Sequence, residues 1–382
     1  MTLITTTHEL ATLCEQLASE PFVTLDTEFM RDRTYYPQLC LIQVAGEQRH
    51  AAIDPLAPTL DLAPLFALLA DPSVVKVFHA ARQDIEIFHQ LTGQIPQPLF
   101  DTQLAAMVCG YGEEVGYETL VAQIAKARID KSSRFTDWSR RPLSARQLDY
   151  AIDDVVHLRV IYRRLEEQLE RTGRSQWVAQ ELAELTDPAT YQQPPEEAWR
   201  RIKVRSRDPR FLAIVRALAS WREREAQRRD LPRNRVLRDD LLMEVAANHP
   251  TSVEQLAKLK RISLDRASAA GVVAAIQDAL ALPETALPRL PPPVKLPRGI
   301  GPLVELLRVL LKLQCEEHHV AQRLVATTSD LEAIAAFEAP DVAALKGWRL
   351  EVFGRAALAL KRGEIGLALV EGKLALVPMK RA

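Results

Sequence analysis

The chain has 382 residues, of which 47% are hydrophobic and 26% are charged, and its formal net charge is −1. This length predicts two or three domains, and the composition is ordinary for a soluble globular protein. No apolar run is long enough to span a membrane and the first residues lack the basic and apolar regions of a signal peptide, so we expect a cytoplasmic protein with no membrane partner.

The cysteines offer no sign of a metal or disulfide framework. Cys14, Cys40, Cys109 and Cys315 are scattered along the chain, and none has C-x-x-C spacing. This pattern argues against a zinc site and, in a reducing compartment, against structural disulfides.

The first predicted helix begins at a capping box. Thr6 and Glu9 have the T-x-x-E spacing, and the helix should run from there to residue 18 before Pro21 ends the element.

A buried strand that carries two carboxylates follows at residues 22–29. Asp26 and Glu28 project from the same side because strand side chains alternate between faces. Two acids this close repel each other unless a cation or a proton lies between them. The alternative is an acid pair that faces water at a sheet edge.

The next segments predict an α/β domain. Strands are expected at residues 39–45, 50–53, 74–78 and 99–100, with helices at 64–70 and 80–90. Asp84 lies just inside the second of these helices. Ligand crevices form outside the carboxyl ends of strands, so this helix can bring Asp84 opposite the strand of Asp26 and Glu28, although Asp84 alone is also typical of a helix surface. Asp101 should cap the helix that follows it.

A further helix has a well-determined register. Ser144 and Gln147 form an S-x-x-Q capping box, so a helix should begin at about residue 145 and continue through 162. Tyr150 and Asp154 are four residues apart and share a face. Asp153 lies about 100° away, so only one acid of the pair can face a common site.

The remainder of the chain is predicted to be helical and duplicated. A helix should begin at Asp208-Pro209, with Asp as N-cap and Pro at the first helical position. A Pro-rich spacer at residues 283–297 precedes a second helical unit, which repeats the first at an offset of 88 residues between Arg235 and Arg323. Residues 367–377 contain two apolar runs joined by Glu371-Gly372, which predicts a terminal β-hairpin.

The segment from Arg200 to Arg238 is strongly basic. It holds fourteen Lys and Arg residues and four acids, a net charge of 14 − 4 = +10. Such a segment attracts polyanions by counterion release. The alternative is a solvated helix face with many ion pairs.

The acids of the first domain suit a hard cation. Four carboxylates, Asp26, Glu28, Asp84 and Asp154, with no competing histidine cluster, favour Mg²⁺ or Mn²⁺. Two such ions about 4 Å apart can activate water and stabilise the leaving oxygen of a phosphodiester. Tyr150 is then placed to hydrogen-bond the attacking water.

These segments resemble the three exonuclease motifs of the DEDD family of 3′→5′ exonucleases. The motifs are Asp26-Thr27-Glu28-Phe29, residues 79–84, and the Y-x-x-x-D pattern of Tyr150 and Asp154, which marks the tyrosine subgroup. Residues 131–151 resemble the ribonuclease D family, and the two helical units resemble the HRDC domain, a nucleic-acid-binding module that this family carries twice. His79 stands where many relatives have Asn, at a position that is not a metal ligand in the family.

The resemblance implies a role for each matching residue. Asp26 would bridge two divalent cations, Glu28 and Asp154 would bind the ion that activates water, and Asp84 would support the second ion. Tyr150 would orient the nucleophile.

The resemblance also implies contacts with RNA. By analogy Phe29 and Met30 should lie near the terminal nucleotide, and Lys131 and Arg134 near phosphates. From the basic segment we expect further RNA contacts from Arg222, Arg224, Arg228 and Arg229.

The sequence thus predicts an α/β ribonuclease H-like exonuclease domain followed by two small all-α HRDC domains. The expected boundaries are an exonuclease domain at 1–190, a connector at 191–207, HRDC domains at 208–282 and 301–366, a Pro-rich linker at 283–300 and a hairpin tail at 367–382.

The expected function is metal-dependent 3′→5′ exoribonuclease activity. It would release nucleoside 5′-monophosphates from a single-stranded 3′ end, on precursors of tRNA and other small structured RNAs, and the protein would act as a monomer. The alternatives are a DNA exonuclease, since HRDC domains also accompany helicases, and a non-catalytic RNA-binding processing factor.

Overall fold

A computed structural model of the chain describes residues 2–259, 261–292 and 295–379. Met1, Lys260, two positions of the predicted linker (Pro293 and Val294) and the last three positions of the predicted tail lie outside the described residues.

The first part of the chain contains a six-stranded mixed sheet. Its strands are β1 (Leu3–Ile4), β2 (Phe22–Met30), β3 (Gln38–Ala45), β4 (His50–Ile53), β5 (Val75–Phe78) and β6 (Leu99–Asp101). In space they follow the order β1-β4-β3-β2-β5-β6. The strand β2 is therefore central, antiparallel to β3 and parallel to β5.

Within the described residues seven α-helices accompany this sheet, and the predicted helices all form. They are α1 (Thr7–Leu17), α2 (Ala63–Ala70), α3 (Arg82–Thr92), α4 (Thr102–Val108), α5 (Tyr117–Leu120), α6 (Ala145–Thr172) and α7 (Ser175–Leu185). Both predicted capping residues, Thr6 and Ser144, accept a backbone N–H at the third helical position. The helix α6 is 28 residues long and ends ten residues later than predicted, at the left-handed Gly173.

The two faces of β2 contact different helices. Its even-numbered residues face α6, since the Phe22 ring lies 4.6 Å from the ring of Tyr162 and the Thr24 hydroxyl donates to the Val155 carbonyl at 2.8 Å. Its odd-numbered residues face the core around α1 and α3, where Thr27 donates to Asp84. Side chains from two separate helices are thus fixed against one strand.

A buried carboxylate holds the turn that leads into α3. One oxygen of Asp101 accepts the backbone N–H groups of Ala80, Gln103 and Leu104, and the other accepts that of Ala81. Asp101 is thus the predicted cap of α4, and it also fixes the left-handed turn at Ala80, whose φ is 56°. Because α3 begins at this turn, Asp101 sets the position of the helix that carries Asp84.

Two helical units follow. The first contains α8 (Pro209–Arg229), α9 (Arg233–Val236), α10 (Asp239–Asn248), α11 (Val253–Ala257) and α12 (Arg266–Ala281). The second contains α13 (Gly301–His318), α14 (Gln322–Val325), α15 (Thr328–Ala336), α16 (Gly347–Arg349) and α17 (Arg355–Lys361), the last two joined by a wider turn at Leu350–Gly354. As predicted, Asp208 caps α8 with Pro209 at its first position.

The two units repeat at an offset of 89 residues, and the predicted offset of 88 was wrong by one. The long helices end at the left-handed residues Asp230 and His319, each with φ of 48° (319 − 230 = 89). The same offset superimposes buried positions, shown by the pairs Leu218 and Leu307, Leu242 and Leu331, and Val245 and Ile334. Arg235 and Arg323 are exposed and do not occupy equivalent positions, because the exposed residues of a repeat are free to differ whereas its core is not.

The first unit contacts the sheet domain through the segment after β2. The hydroxyl of Tyr35 donates to Glu223 in a short hydrogen bond, and Arg233 forms an ion pair with the same carboxylate at 2.6 Å. Asp230, at the end of α8, accepts the backbone N–H groups of Tyr35 and Tyr36 at 3.0 Å each. Tyr35 is itself part of the apolar core of this unit.

The second unit contacts α7 and the end of α4. The rings of Trp177 and Trp348 stack with centroids 4.5 Å apart, and Arg349 pairs with Glu181 at 2.6 Å. At the end of α4, a Cβ on Gly110 would lie 2.7 Å from the carbonyl oxygen of His319, so only glycine fits there.

The chain ends in the predicted hairpin, formed by β7 (Ile365–Val370) and β8 (Lys373–Pro378), which begins two residues earlier than expected. None of the helices within the described residues has the length and apolar character required to cross a membrane.

We expect Asp101→Asn to lower the free energy of unfolding by about 1–3 kcal/mol, because the amide leaves at least one buried N–H without an acceptor. Denaturant unfolding measures this change. Asp61→Asn is a matched control, since exposed Asp61 accepts one N–H, from Ala63, and its replacement should stay within about 0.5 kcal/mol. Equal effects of the two substitutions would contradict the role assigned to Asp101.

Candidate metal and catalytic site

Three carboxylates meet where β2 passes beneath α6. One oxygen from each of Asp26, Glu28 and Asp154 lies within 4.8 Å of the others, and all three side chains are half-buried. The two strand acids share the even-numbered face of β2, and the third comes from the helix that covers this face. Among the described residues Asp153 is not part of the group, as the helix register predicts.

Asp84 approaches from the opposite face of β2. It is buried, and one of its oxygens accepts the hydroxyl of Thr27 at 2.5 Å. It lines the same cavity as Asp26 and Asp154 but is not a member of the three-carboxylate group. Asp84 therefore reaches the cavity from α3 and is held there by Thr27.

The acids disfavour one another's charge. Burial and then the charge of Asp154 raise the pKa of Asp26 well above its usual range. Burial, Asp26, Asp154 and Asp84 together raise the pKa of Glu28 to about 10. Burial raises the pKa of Asp154 to about 7, although the hydrogen bond from Tyr150 opposes this shift. Without a cation the group therefore retains protons at neutral pH.

Such a donor set fits a hard divalent cation. The group offers only carboxylate oxygens, which Mg²⁺ and Mn²⁺ prefer, and a cation removes the repulsion that raises these pKa values. Asp26, Glu28 and Asp154 could hold one ion directly, and Asp84 offers a further oxygen in the same cavity.

Tyr150 is fixed beside this group. Its hydroxyl lowers the pKa of Asp154, one helical turn away, so the two groups face each other, and its ring lies 6.1 Å from the ring of Trp138. Burial and then the charge of Asp154 raise the pKa of Tyr150 above its usual range, so its hydroxyl stays protonated and remains a donor.

The cavity has a volume of about 480 Å³ and contains most of the predicted contacts. Phe29, Lys131 and Arg134 line it, and Lys131 also pairs with Glu118. The positive charge of Arg134 lowers the pKa of both Glu28 and Asp154, so its guanidinium lies close to the acids. Met30 instead packs against the apolar cluster around Trp138.

Two aromatic residues beside the site were not predicted from the sequence. Tyr117 lines the cavity and donates to the carbonyl of Asp153 at 3.0 Å, and no motif marks it. Phe135 is 91% exposed, and the guanidinium of Arg134 lies 5.2 Å from the centre of its ring. Its only signal in the sequence was its position next to a predicted phosphate contact.

The prediction that Arg222 contacts RNA is wrong. Its side chain is buried in the first helical unit, where it bonds to the Leu237 carbonyl and to Asp239 at 2.6 Å. This arginine lies on the inner face of α8, a position that counting charges could not reveal.

The other three arginines of the basic segment are exposed but ion-paired. Arg224 contacts Glu196 at 3.3 Å, Arg228 contacts Glu225 at 2.7 Å, and Arg229 contacts Asp265 at 3.5 Å. Two of these acids lie outside the segment that carries the excess charge. The ion-paired helix face considered above is therefore present here.

Two family models match the chain. One, described as a 3′-5′ exonuclease, covers residues 1–170, and the other, the HRDC domain, covers residues 211–271. The first match includes all four carboxylates and Tyr150.

Full-length relatives agree with these matches. The chain is 52% identical to proteins named Ribonuclease D from Granulibacter bethesdensis, over 97% of this chain and 95% of that relative, and from Gluconacetobacter diazotrophicus, over 98% and 96%. Its fold is similar to the crystal structure of Escherichia coli RNase D, with a TM-score of 0.80, 34% identity, and coverage of 94% of this chain and 98% of that one. The Escherichia coli protein is described as an exoribonuclease involved in structured RNA processing.

We expect Mn²⁺ to raise the melting temperature more at about pH 8.5 than at about pH 6. The pKa of Glu28 is about 10 in the fold, above the unfolded value of about 4.3, so the ion-free protein loses stability as pH rises between these values. A cation takes the place of the bound protons, and its stabilising effect therefore grows with pH. Thermal unfolding with and without Mn²⁺ measures this effect.

The variant Glu28→Gln is the control for this experiment, because its amide does not titrate. It should lose the part of the pH dependence that Glu28 contributes, whereas the protons held by Asp26 and Asp154 still have to be displaced by the cation. A Mn²⁺ effect that is independent of pH in the unmodified protein would contradict the electrostatic account of the site.

Proposed function

This chain belongs to the ribonuclease D family, and we propose that it removes nucleotides from the 3′ end of RNA by hydrolysis that depends on two divalent cations. The observation that carries this proposal is the group formed by Asp26, Glu28 and Asp154, with Asp84 and Tyr150 lining the same cavity as Asp26 and Asp154. The products would be nucleoside 5′-monophosphates.

Each side chain has a defined task in this mechanism. Asp26, Glu28 and Asp154, with Asp84 opposite, would hold two Mg²⁺ or Mn²⁺ ions, which supply a Lewis acid for activating water and for stabilising the leaving oxygen. The Tyr150 hydroxyl, kept protonated and fixed by Asp154, donates a hydrogen bond that orients the attacking water. Arg134 places a positive charge beside the reacting phosphate.

The cavity suits a single-stranded 3′ end. Phe29 lines its wall, where it would contact the terminal nucleotide, and Lys131 and Arg134 would contact phosphates. The exposed ring of Phe135, beside Arg134, offers a stacking surface for the next base. Precursors of tRNA and other small structured RNAs present such ends. Met30 would support this wall from behind, through the cluster around Trp138.

The C-terminal units would hold the body of the RNA. The second unit repeats the helix order and buried positions of the first, so we propose that it is also an HRDC domain and that the chain divides at the boundaries predicted from the sequence. Both units contact the catalytic domain of the same chain, which supports a monomer as the working form. We place the protein in the cytoplasm, where its RNA substrates are.

A DNA exonuclease and a non-catalytic RNA-binding factor remain the alternatives. The complete set of four carboxylates and Tyr150 argues against a protein without catalysis. Digestion of RNA and DNA single strands of matched sequence separates the other two functions.

We expect the protein to digest a 3′-extended tRNA with Mg²⁺ or Mn²⁺, and Asp26→Asn to abolish this activity while retaining RNA affinity. Tyr150→Phe should lower kcat by about 100-fold with little change in KM, because it removes one oriented hydrogen bond and no ligand. Chromatography of the products and a binding titration provide the measurements. Digestion by Asp26→Asn at the unmodified rate would show that the site is assigned wrongly, and preference for the DNA strand would replace the proposed substrate.

Neutralising Arg224, Arg228 and Arg229 together should weaken RNA binding and lower its salt dependence. Each phosphate contact that is lost on a single strand reduces the slope of log affinity against log salt by about 0.7, so three contacts give about 2. Binding is measured by titration in the Asp26→Asn background, which prevents digestion.

A triple substitution of Arg308, Lys312 and Arg355 is the matched control. These residues of the second unit are exposed and paired with acids one helical turn away, as Arg228 is. They should affect RNA binding less. If the control weakens binding more, the second unit and not the first provides the main basic surface.

A further inference from the structure

A buried glutamine lies next to Asp26 with no hydrogen-bond partner. Gln43 is 0% exposed, and neither its amide nitrogen nor its amide oxygen bonds to any of the described residues. An unpaired amide in a protein interior is costly, and most buried polar groups have at least one partner. Apolar packing alone therefore does not explain why an amide side chain occupies this position.

The strand register places this amide at the metal site. Gln43 on β3 is the direct partner of Asp26 on β2, so the two side chains project from the same face of the sheet. Directly opposite residues of antiparallel strands have Cβ atoms about 4.5–5.5 Å apart. The amide of a glutamine reaches across this distance to the carboxylate of an aspartate.

Several other neighbours of Gln43 are apolar. On its other side the partner in β4 is Ala52, and Ala52 and Leu41 cluster with Ala151 and Ile152 of α6 above this face. These side chains are apolar. Asp26 is thus the polar side chain directly opposite Gln43, and Thr24 and Glu28 occupy the more distant diagonal positions of the same face.

We propose that Gln43 is a positioning residue that orients the carboxylate of Asp26 for cation binding. Its amide nitrogen donates to one carboxylate oxygen when Asp26 acts as a ligand, which leaves the remaining lone pairs directed at the ion. The donor is held between the sheet and α6, so it fixes the carboxylate without contacting substrate. This inference rests on the proposed role of Asp26 as a metal ligand.

The test separates stability from metal affinity. Gln43→Met has nearly the same volume and no amide, so it should keep or raise the melting temperature of the ion-free protein, because it removes an unpaired buried polar group. Its affinity for Mn²⁺, measured by calorimetry and by electron paramagnetic resonance of free Mn²⁺, should fall at least tenfold. Gln43→Leu should behave in the same way.

Ile42→Val is the matched control on the same strand. Ile42 is fully buried but faces the opposite side of the sheet, so its truncation should lower the melting temperature and leave Mn²⁺ affinity unchanged. A loss of stability in both Gln43 variants would overturn the proposal, because it would mean that the amide serves the fold.

Asp26→Asn distinguishes the two levels of inference. If it abolishes Mn²⁺ binding while Gln43→Met binds Mn²⁺ within twofold of the unmodified protein, the role of Gln43 is refuted and the site stands. If Asp26→Asn also binds Mn²⁺ normally, the proposed site itself fails, and the role of Gln43 fails with it.

Discussion

The alternation of side chains along β2 is the constraint on which the site depends. Neighbouring residues of one strand must face opposite sides, so Asp26 and Glu28 meet α6, whereas Thr27 between them meets α3. One strand thereby fixes side chains from two separate helices. The register of β2 against β3 is equally important, because a slip of one residue would exchange its two faces.

This geometry holds like charges together against their repulsion. The pKa of each of the four carboxylates is raised, which means that the fold without a cation keeps them together partly as neutral acids. The arrangement persists because its supports do not depend on the protonation of these four acids: they are the capping box of α6, the apolar contacts beneath that helix, and the Asp101 turn that begins α3. The contacts that stabilise the site therefore lie around the four acids, and the acids themselves remain available to bind ligands.

Local patterns in the sequence predicted most of this arrangement. Features that depend on contacts between residues distant in sequence could not be predicted. The D-x-E strand and the cap of α6 determined which faces Asp26, Glu28 and Asp154 present, because period and capping are local properties. That Asp84 lies on the other face of β2, held by Thr27, depends on how α3 packs. Tyr117 and Gln43 have no motif, and their importance arises only from neighbours distant in sequence. The inward-facing Arg222 shows the same limit, since composition does not distinguish the faces of a helix whose buried side also holds a charge.

The left-handed residue that ends the long helix of each C-terminal unit is also the point at which that unit attaches to the catalytic domain. At this equivalent position Asp230 binds the backbone after β2, and the carbonyl of His319 lies against Gly110 and accepts Arg174 at 3.3 Å. The two copies thus attach to unrelated parts of the catalytic domain through the same corner. A module that carries its own point of attachment can be duplicated without redesign of its host, because only a small complementary surface must evolve in the host. The surfaces away from these corners are not constrained by attachment, and the basic segment lies in the first unit and the connector that precedes it.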